Sequence, residues 1–278
     1  MIRTALSQAS ARIGVVSDSA RLDAELLLAH LLGWSRAQLR SRDDTALPPS
    51  TLAEFERLVE RRCDGEPVAY LLGYRDFWKS RFRVGPGVLV PRPETELLVE
   101  TALEWLSELE RPRVLDLGTG SGAIGLSIAL ERPDAEVVLV DRSPVALAMA
   151  ETNRALLGVA ARMVSGSWFA ALGQQERYDL ILANPPYVAP EDPHLSGPEL
   201  RHEPLEALVA AGDGLADLQT LAAQSPQFLR PYGKVLFEHG CDQGAAVRSA
   251  LERAGFRQVR TFLDLSALER ATGGGLGD

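Results

Sequence analysis

From Pro112 onward, short apolar runs alternate with stretches of helical period, and few architectures satisfy that alternation. The runs at 113–117, 136–140, 161–165, 178–183, 233–239 and 257–263 read as strands, with helices at about 122–132, 144–157, 214–229 and 243–254. Strands separated by helices cannot pair as tight hairpins. They pair in parallel, and the connecting helices cover both faces of the sheet. The predicted fold class is therefore α/β. No internal repeat or low-complexity segment interrupts the pattern. Gly273-Gly-Gly-Leu-Gly277 reads as a loose tail.

The first 73 residues have a different character. Arg21–Gly33 carries Leu22, Leu26, Ala29 and Leu32 at helical spacing, with Ser17 or Asp18 as cap and Gly33 as stop. Pro49–Cys63 repeats the pattern through Leu52, Phe55, Leu58 and Val59, and Pro67–Gly73 reads as one more short helix. A small helical bundle is expected. Tyr74–Val90 reads as a hairpin-like connector around Gly85-Pro86-Gly87. Pro91-Arg-Pro-Glu-Thr-Glu96 leads into an amphipathic helix ending near Glu110. Thr95 is its candidate cap, and Glu94 and Glu96 lie at its positive end. The expected domains are 1–73, a connector over 74–92, and 93–278.

Arg113–Gly125 is a strand, a tight glycine turn and a helix start. Gly118, Gly120 and Gly122, with Thr119 and Ser121 between them, let the backbone approach a ligand closely. Gly120-x-Gly122-x-x-Gly125 also fits the dinucleotide fingerprint, which is weak by itself. The next strand ends in Asp141. In open α/β sheets ligands sit beyond the carboxyl ends of the strands, where an Asp can accept hydrogen bonds from both ribose hydroxyls. The alternative role for Asp141 is a helix cap before Ser143-Pro144. Asp116, two residues before Gly118, suits a cofactor bearing an ammonium group and sits poorly beside a pyrophosphate. That favours S-adenosylmethionine over a nicotinamide dinucleotide.

The strand at 178–183 ends in Asn184-Pro185-Pro186-Tyr187. Neither proline offers an N–H to a ladder, so the chain leaves the sheet at Asn184 and is stiffened there. A side-chain amide, backbone carbonyls and a phenol ring remain exposed. Such a set can grip a planar NH2 group, or it can be an ordinary strand-to-loop turn. The glycine turn and the acid upstream favour the grip.

Charge and cysteines narrow the class further. The net charge of −9 over 278 residues argues against broad electrostatic binding of nucleic acid. No apolar run is long enough to span a bilayer. Met1–Gln8 lacks the regions of a signal peptide, and with two distant cysteines this points to reduced thiols in the cytoplasm. Four scattered histidines and two lone cysteines give no metal-ligand spacing, so no metal is expected.

Asp116–Gly122 and Asn184–Tyr187 together resemble the class I S-adenosylmethionine-dependent methyltransferases acting on amide or exocyclic amino nitrogens. Pro91–Glu96, Asp192-Pro-His-Leu195, Glu203-Pro-Leu205 and Glu238-His-Gly240 narrow the match. Over nearly its whole length the chain resembles the peptide chain release factor glutamine N5-methyltransferases, the PrmC/HemK family. The resemblance implies a Rossmann-like seven-stranded sheet whose last strand is antiparallel. It also implies S-adenosylmethionine held by Gly118, Thr119, Gly120, Ser121, Gly122 and Asp141, with Trp168 near the adenine and Asn184 at the methyl end. Asn184, Pro185, Pro186 and Tyr187 would bind the glutamine of a Gly-Gly-Gln motif in a class-1 release factor. Asn184, Pro185 and Tyr187 would act on it. A monomer without direct nucleic-acid contact is expected.

Two departures qualify the match. The family often has Ser-Asp before Trp-Phe, where this chain has Gly166-Ser167. The C-terminal segment is richer in glycine than a last strand should be, so a short strand is expected there. The rival readings are a ribosomal-protein glutamine methyltransferase, a DNA adenine methyltransferase, a nicotinamide oxidoreductase and a non-catalytic module.

Overall fold

A computed structural model describes residues 1–277. The chain divides into two units. One comprises Met1–Tyr74 with Pro193–Glu203; the other runs from Arg75 to Asp192 and resumes at Pro204.

The first unit is helical: α1 (Ile2–Ile13), α2 (Ala20–Leu32), α3 (Arg36–Ser41), α4 (Pro49–Cys63) and α5 (Val68–Leu72). Ile2, Leu6 and Ile13 pack with Leu27, Leu28, Phe55 and Val59 in its core. The buried face of α2 is broader than the expected one. Ala29 is buried and Leu26 and Leu32 pack against the same core as expected, Ala24, Leu27 and Leu28 are buried as well, and Leu22 is 36% exposed. Two carboxylates of the helix are also buried. Asp23 and Glu25 are both buried, Asp23 by bonding to Arg62 and Glu25 by bonding to Arg21, Arg36 and Arg40. Neither Ser17 nor Asp18 caps α2. Ser19 occupies the cap position, and its hydroxyl donates to Asp23 Oδ1 at 2.9 Å instead of accepting from the backbone. Gly33 does stop the helix, at φ +63°. Helix α3 is too short to show an apolar period, and a Ser35–Gln38 capping box starts it. Arg62 is fully buried, with Nε donating to Asp23 Oδ2 at 2.8 Å and Nη2 bonded to Glu199. That second bond ties the inserted segment 193–203 to the helices, and the sequence pattern gave no sign of it.

After α5 the chain forms a hairpin of β1 (Tyr74–Phe77) and β2 (Ser80–Arg83). Its turn is Trp78-Lys79, not Gly85-Pro86-Gly87, which lies beyond the second strand. A 3-10 turn, Pro93–Thr95, then enters α6 (Glu96–Leu106), which ends short of Glu110. Thr95 makes no capping hydrogen bond. The alternating region follows as β3 (Arg113–Leu117), α7 (Ala123–Glu131), β4 (Glu136–Asp141), α8 (Pro144–Leu157), β5 (Arg162–Ser165) and β6 (Tyr178–Ala183). It continues with α9 (Ala216–Gln224), β7 (Leu229–Glu238), α10 (Gly244–Arg253), β8 (Phe256–Leu263) and β9 (Glu269–Leu276). Pro226 lies in the 3-10 turn that ends α9, short of the expected 229.

The seven strands of the large sheet run in the order β5-β4-β3-β6-β7-β9-β8, with β9 antiparallel to both neighbours. Successive residues face opposite sides. Leu115, Leu117, Val138, Val140, Ile181 and Phe237 enter one core; Val114, Val137, Leu139, Leu180 and Leu236 enter the other. The chain order reverses beside β3. Leu117 pairs with Val140 and Ala183, and Ala183 with Phe237. The next residue of each strand, Gly118, Asp141, Asn184 and Glu238, therefore stands in one row at the carboxyl edge.

The supposed loose tail is a strand. Gly273, Gly274 and Gly275 pair with Leu236, Val235 and Lys234 inside the sheet. Their lack of side chains admits neighbours. A Cβ on Gly273 would lie 2.4 Å from the Val235 carbonyl oxygen and 2.7 Å from the Trp105 ring. On Gly275 the nearest atom would be 3.8 Å away. Gly273→Ala is expected to destabilise the protein by about 1–3 kcal/mol through forced strand displacement, and Gly275→Ala by clearly less. Urea unfolding of both variants tests this, and equal effects would contradict the packing argument.

Candidate active site

The glycine turn after β3 is built around backbone donors. Gly118 and Thr119 both donate N–H to the Val140 carbonyl, at 2.9 and 3.0 Å. Gly118 has φ +71°, and a Cβ there would meet the Trp168 ring at 3.1 Å. Glycine is thus required both by the turn and by the indole beside it. Asn153, fully buried on α8, donates to the Ser121 carbonyl at 2.8 Å and bonds both the N–H and the C=O of Arg83. It holds the loop and the end of the hairpin together.

Asp116 lies behind this loop. It is fully buried, and its Oδ2 accepts from the Thr119 hydroxyl at 2.6 Å and from Gly125 N–H at 3.0 Å. Oδ1 has no partner among the described residues. Burial pushes its pKa up to about 6, against the pull of those two donors. Asp116 does not line the cavity in front of the loop, so a direct contact to a cofactor ammonium is not part of this geometry. It sets the shape of the loop from within.

That cavity spans about 1020 Å3 including its open mouth. Gly118, Thr119, Gly120, Ser121, Asp141, Trp168, Asn184 and Pro186 line it, so most of the residues singled out by sequence meet there. Gly122, Pro185 and Tyr187 are not among the residues that line it. Asp141 Oδ2 accepts from Gly120 N–H at 2.9 Å and Oδ1 from Ser143 N–H at 2.8 Å. A carboxylate has about four acceptor positions, so two remain for a ligand. The helix-cap role belongs to Ser143 instead, whose hydroxyl accepts from Ala146 N–H. Trp168, at φ +49°, donates Nε1–H to Asp217 at 3.1 Å, which fixes the ring against the glycine turn. Ser167 lines the wall beside Trp168.

Asn184 leaves β6 at the rim. Its Nδ2 donates to Thr95 Oγ1 at 3.3 Å. Pro185 is buried. The Tyr187 carbonyl accepts from Gln243 Nε2 at 2.9 Å, and its hydroxyl donates to Glu238 Oε1 at 3.2 Å. Val188 pairs with Val209 by a β-bridge that anchors the chain beyond the prolines.

Known proteins bear on this arrangement. Residues 4–73 match the family model of the PrmC N-terminal domain, and residues 93–213 that of the methyltransferase small domain. The chain is 50% identical over 254 residues to a release factor glutamine methyltransferase of Bordetella pertussis, covering 91% of this chain and 94% of that one. The chain belongs to the release factor glutamine methyltransferase family. Its relative of the same name in Escherichia coli K12 is 44% identical over 98% of this chain and 96% of its own. A 16S rRNA N2 G1207 methyltransferase of Thermus thermophilus, solved with AdoMet and guanosine, shares the fold at a TM-score of 0.56. It is 22% identical, over 73% of this chain and 49% of that one.

Within this family member, Thr95, Asp217, Glu238 and Gln243 escaped the reading of the sequence as site residues. Glu238 was legible only as part of a family string. It ends the strand next to the one ending in Asn184, and that adjacency is a property of the sheet. It is 1% exposed. Burial pushes its pKa up to about 7, opposed by hydrogen bonding from Thr95 and the positive charge of Arg270. Between the ordinary 4.5 and about 7, the folded chain keeps a proton that the unfolded chain has lost. This group's contribution to stability therefore falls as pH rises through that window. Glu238→Gln removes the titration, so the variant's Tm relative to the parent's is expected to be higher at pH 8 than at pH 5. Thermal denaturation at the two values checks this; the same difference at both would contradict it.

Proposed function

We infer that this protein transfers a methyl group from S-adenosyl-L-methionine to the side-chain nitrogen N5 of a glutamine, that of the Gly-Gly-Gln motif in class-1 peptide chain release factors. Family membership supports the reaction. The observation that carries the assignment to this site is the shared cavity, with the glycine turn and Asp141 on one wall and Asn184 at its rim.

The residues present suit the cofactor. Asp141 has acceptor positions for ribose hydroxyls, Trp168 offers an aromatic face, and the wall from Gly118 to Ser121 carries only small side chains. When bound, S-adenosylmethionine supplies an electrophilic methyl group on a sulfonium.

The chain's own part is to present a poor nucleophile, because an amide lone pair is delocalised into its carbonyl. Asn184 Oδ1 and the Pro185 carbonyl accept the two N–H bonds of the substrate amide and fix its nitrogen. Positioning of this kind can lower a barrier by about 7 kcal/mol or more. The same oxygens stabilise the positive charge that develops on nitrogen. Tyr187 packs against the amide plane from the side held by Glu238. The methylated nitrogen is strongly acidic and loses its proton without a dedicated base.

The remaining parts of the proposal concern context. The helical unit grips the body of the release factor, since one glutamine in a loop offers little surface for recognition. No helix among the described residues is long and apolar enough to cross a membrane. A monomer working in the cytoplasm, without direct contact to nucleic acid, completes the reading.

Asn184→Ala is expected to lower turnover by about 100-fold or more while cofactor binding persists. The assay is radiolabelled methyl transfer to release factor, with its Gln-to-Ala variant and unrelated DNA as controls. Near-normal turnover of the variant, or label on the DNA, would overturn the assignment. For the helical unit, hydrogen exchange on the intact protein is expected to slow within residues 1–74 when release factor is added. Unchanged exchange there would remove its role in recognition.

A further inference from the structure

The row of residues at the carboxyl edge does not stop at Glu238. Glu238 pairs with Ala271 of β9, and Ala271 with Phe262 of β8. Because β9 runs antiparallel to both neighbours, β8 points the same way as β7. The turn joining β8 to β9 therefore stands beyond the same edge as Asn184. Neighbouring strands lie about 4.8 Å apart, so three strand spacings put this turn about 14 Å to the side of Asn184. At about 3.3 Å per residue, Leu265 reaches up to about 10 Å past the row.

The turn, Leu263-Asp-Leu-Ser-Ala-Leu268, is built inside out. Its one charged side chain, Asp264, is 3% exposed. Asp264 Oδ1 accepts from Ser266 N–H at 2.9 Å and from Leu268 N–H at 3.0 Å, and Oδ2 accepts from Arg270 Nη2 at 3.0 Å. Asp264 N–H donates to the Leu268 carbonyl at 2.9 Å and closes the turn. The leucines face outward. Leu265 is fully exposed, and Leu263 and Leu268 are each about half exposed. None of the three packs into a core among the described residues. A single exposed leucine is ordinary, as Leu156 on α8 shows, but three on one ordered turn are not. Strand β8 is the last of the sheet, and its Arg257, Gln258 and Arg260 blunt pairing with a further strand. What the turn offers a partner is therefore apolar side chains, already ordered before contact.

We propose that Leu263, Leu265 and Leu268 form a docking surface for the protein substrate, seating an apolar patch on the body of the release factor beside the loop that carries its glutamine. The proposal rests on the reading of Asn184 as the amide-binding residue, since a glutamine held there brings the rest of its protein over this edge. A standard interface covers about 800 Å2 per partner, a patch about 30 Å across. One centred on Asn184 takes in a point about 14 Å to its side. The pairing of Asp264 with Arg270 leaves the turn without free charge, so the surface that matches it is apolar. The net charge of −9 disfavours the rival of an anionic membrane.

The test uses the full chain with Leu265→Ser, with Leu265→Ser and Leu268→Ser together, and with Leu156→Ser as a control for lost surface hydrophobicity. Each is assayed for kcat and KM with whole release factor and, by calorimetry, for S-adenosylmethionine affinity. The double variant is expected to raise KM by about tenfold or more, and Leu265→Ser alone by about threefold or more, at a kcat and cofactor affinity within about twofold of the parent's. A higher KM at constant kcat marks lost binding that ground and transition states share. Leu156→Ser should match the parent. Leu265 is fully exposed, so its single variant decides the question even where the double variant loses stability. Unchanged KM in both variants, with the parent labelling release factor, would overturn the docking surface and leave the site standing. A parent that leaves release factor unlabelled would overturn the reading of the site and the docking surface with it. An equal rise in KM for Leu156→Ser would also overturn the proposal. So would a parent dimer that the variants turn into monomers in sedimentation, or binding to phosphatidylcholine–phosphatidylglycerol vesicles that the variants lose. Those two results would give the turn to a second copy of the chain or to a membrane.

Discussion

The parallel ladder across β4, β3, β6 and β7 is the constraint on which the site depends. Backbone hydrogen bonds fix the register of Leu117 against Val140 and Ala183, and of Ala183 against Phe237. Once that register is set, four residues distant in sequence fall into one row: Asp141, Gly118, Asn184 and Glu238. The row brings together an acid with free acceptor positions, the glycine turn, and the amide proposed to hold the substrate. It ends on the carboxylate that holds Tyr187. A slip of one residue in any strand would turn its edge residue to the opposite face. The buried alternation on both sides of the sheet, with Leu115 and Ile181 in one core and Val114 and Leu180 in the other, forbids that slip.

Within each unit the structure keeps acids buried for different ends. Asp116 shapes the glycine loop from inside through Thr119 and Gly125. Glu238 takes up the Tyr187 hydroxyl. Asp23, in the helical unit, holds Arg62, which also binds Glu199 in the inserted segment. That segment, Pro193–Glu203, begins six residues after Tyr187 and ends just before Pro204 on the cavity wall. The stretch of chain between Tyr187 and Pro204 thus includes a segment that belongs to the helical unit. Removing one partner from a buried pair such as Arg62–Asp23 is costly, about 3–5 kcal/mol, because the other charge is left uncompensated.

Much of this is legible in the amino-acid sequence. The strand runs at 113–117 and 178–183 were legible because fully buried parallel strands are nearly continuous apolar segments. The glycine turn and Asn184-Pro-Pro-Tyr187 were legible because φ and N–H requirements leave a direct trace in residue type. Errors arose where a side chain answered to a distant partner. Thr95 looked like a cap and instead faces Asn184, 89 residues away. Gly273–Gly275 looked like a tail because glycine lowers strand propensity. Their glycines instead admit the Val235 backbone and the Trp105 ring. In α2, apolar spacing does not reveal the two carboxylates that bond to arginines and are buried with the helix.

The sequence by itself determined the class of the fold and the places where the chain turns on glycine after β3 and leaves the sheet at Asn184-Pro-Pro-Tyr187. These follow from local rules, namely periodicity, proline's missing donor and glycine's conformational range. Only the tertiary structure decided which acid lies behind the loop and which faces the cavity, where the inserted segment belongs, and that Glu238 stands beside Asn184. Those facts are set by strand order and register, which relate residues by hydrogen bonds across the sheet rather than by distance along the chain.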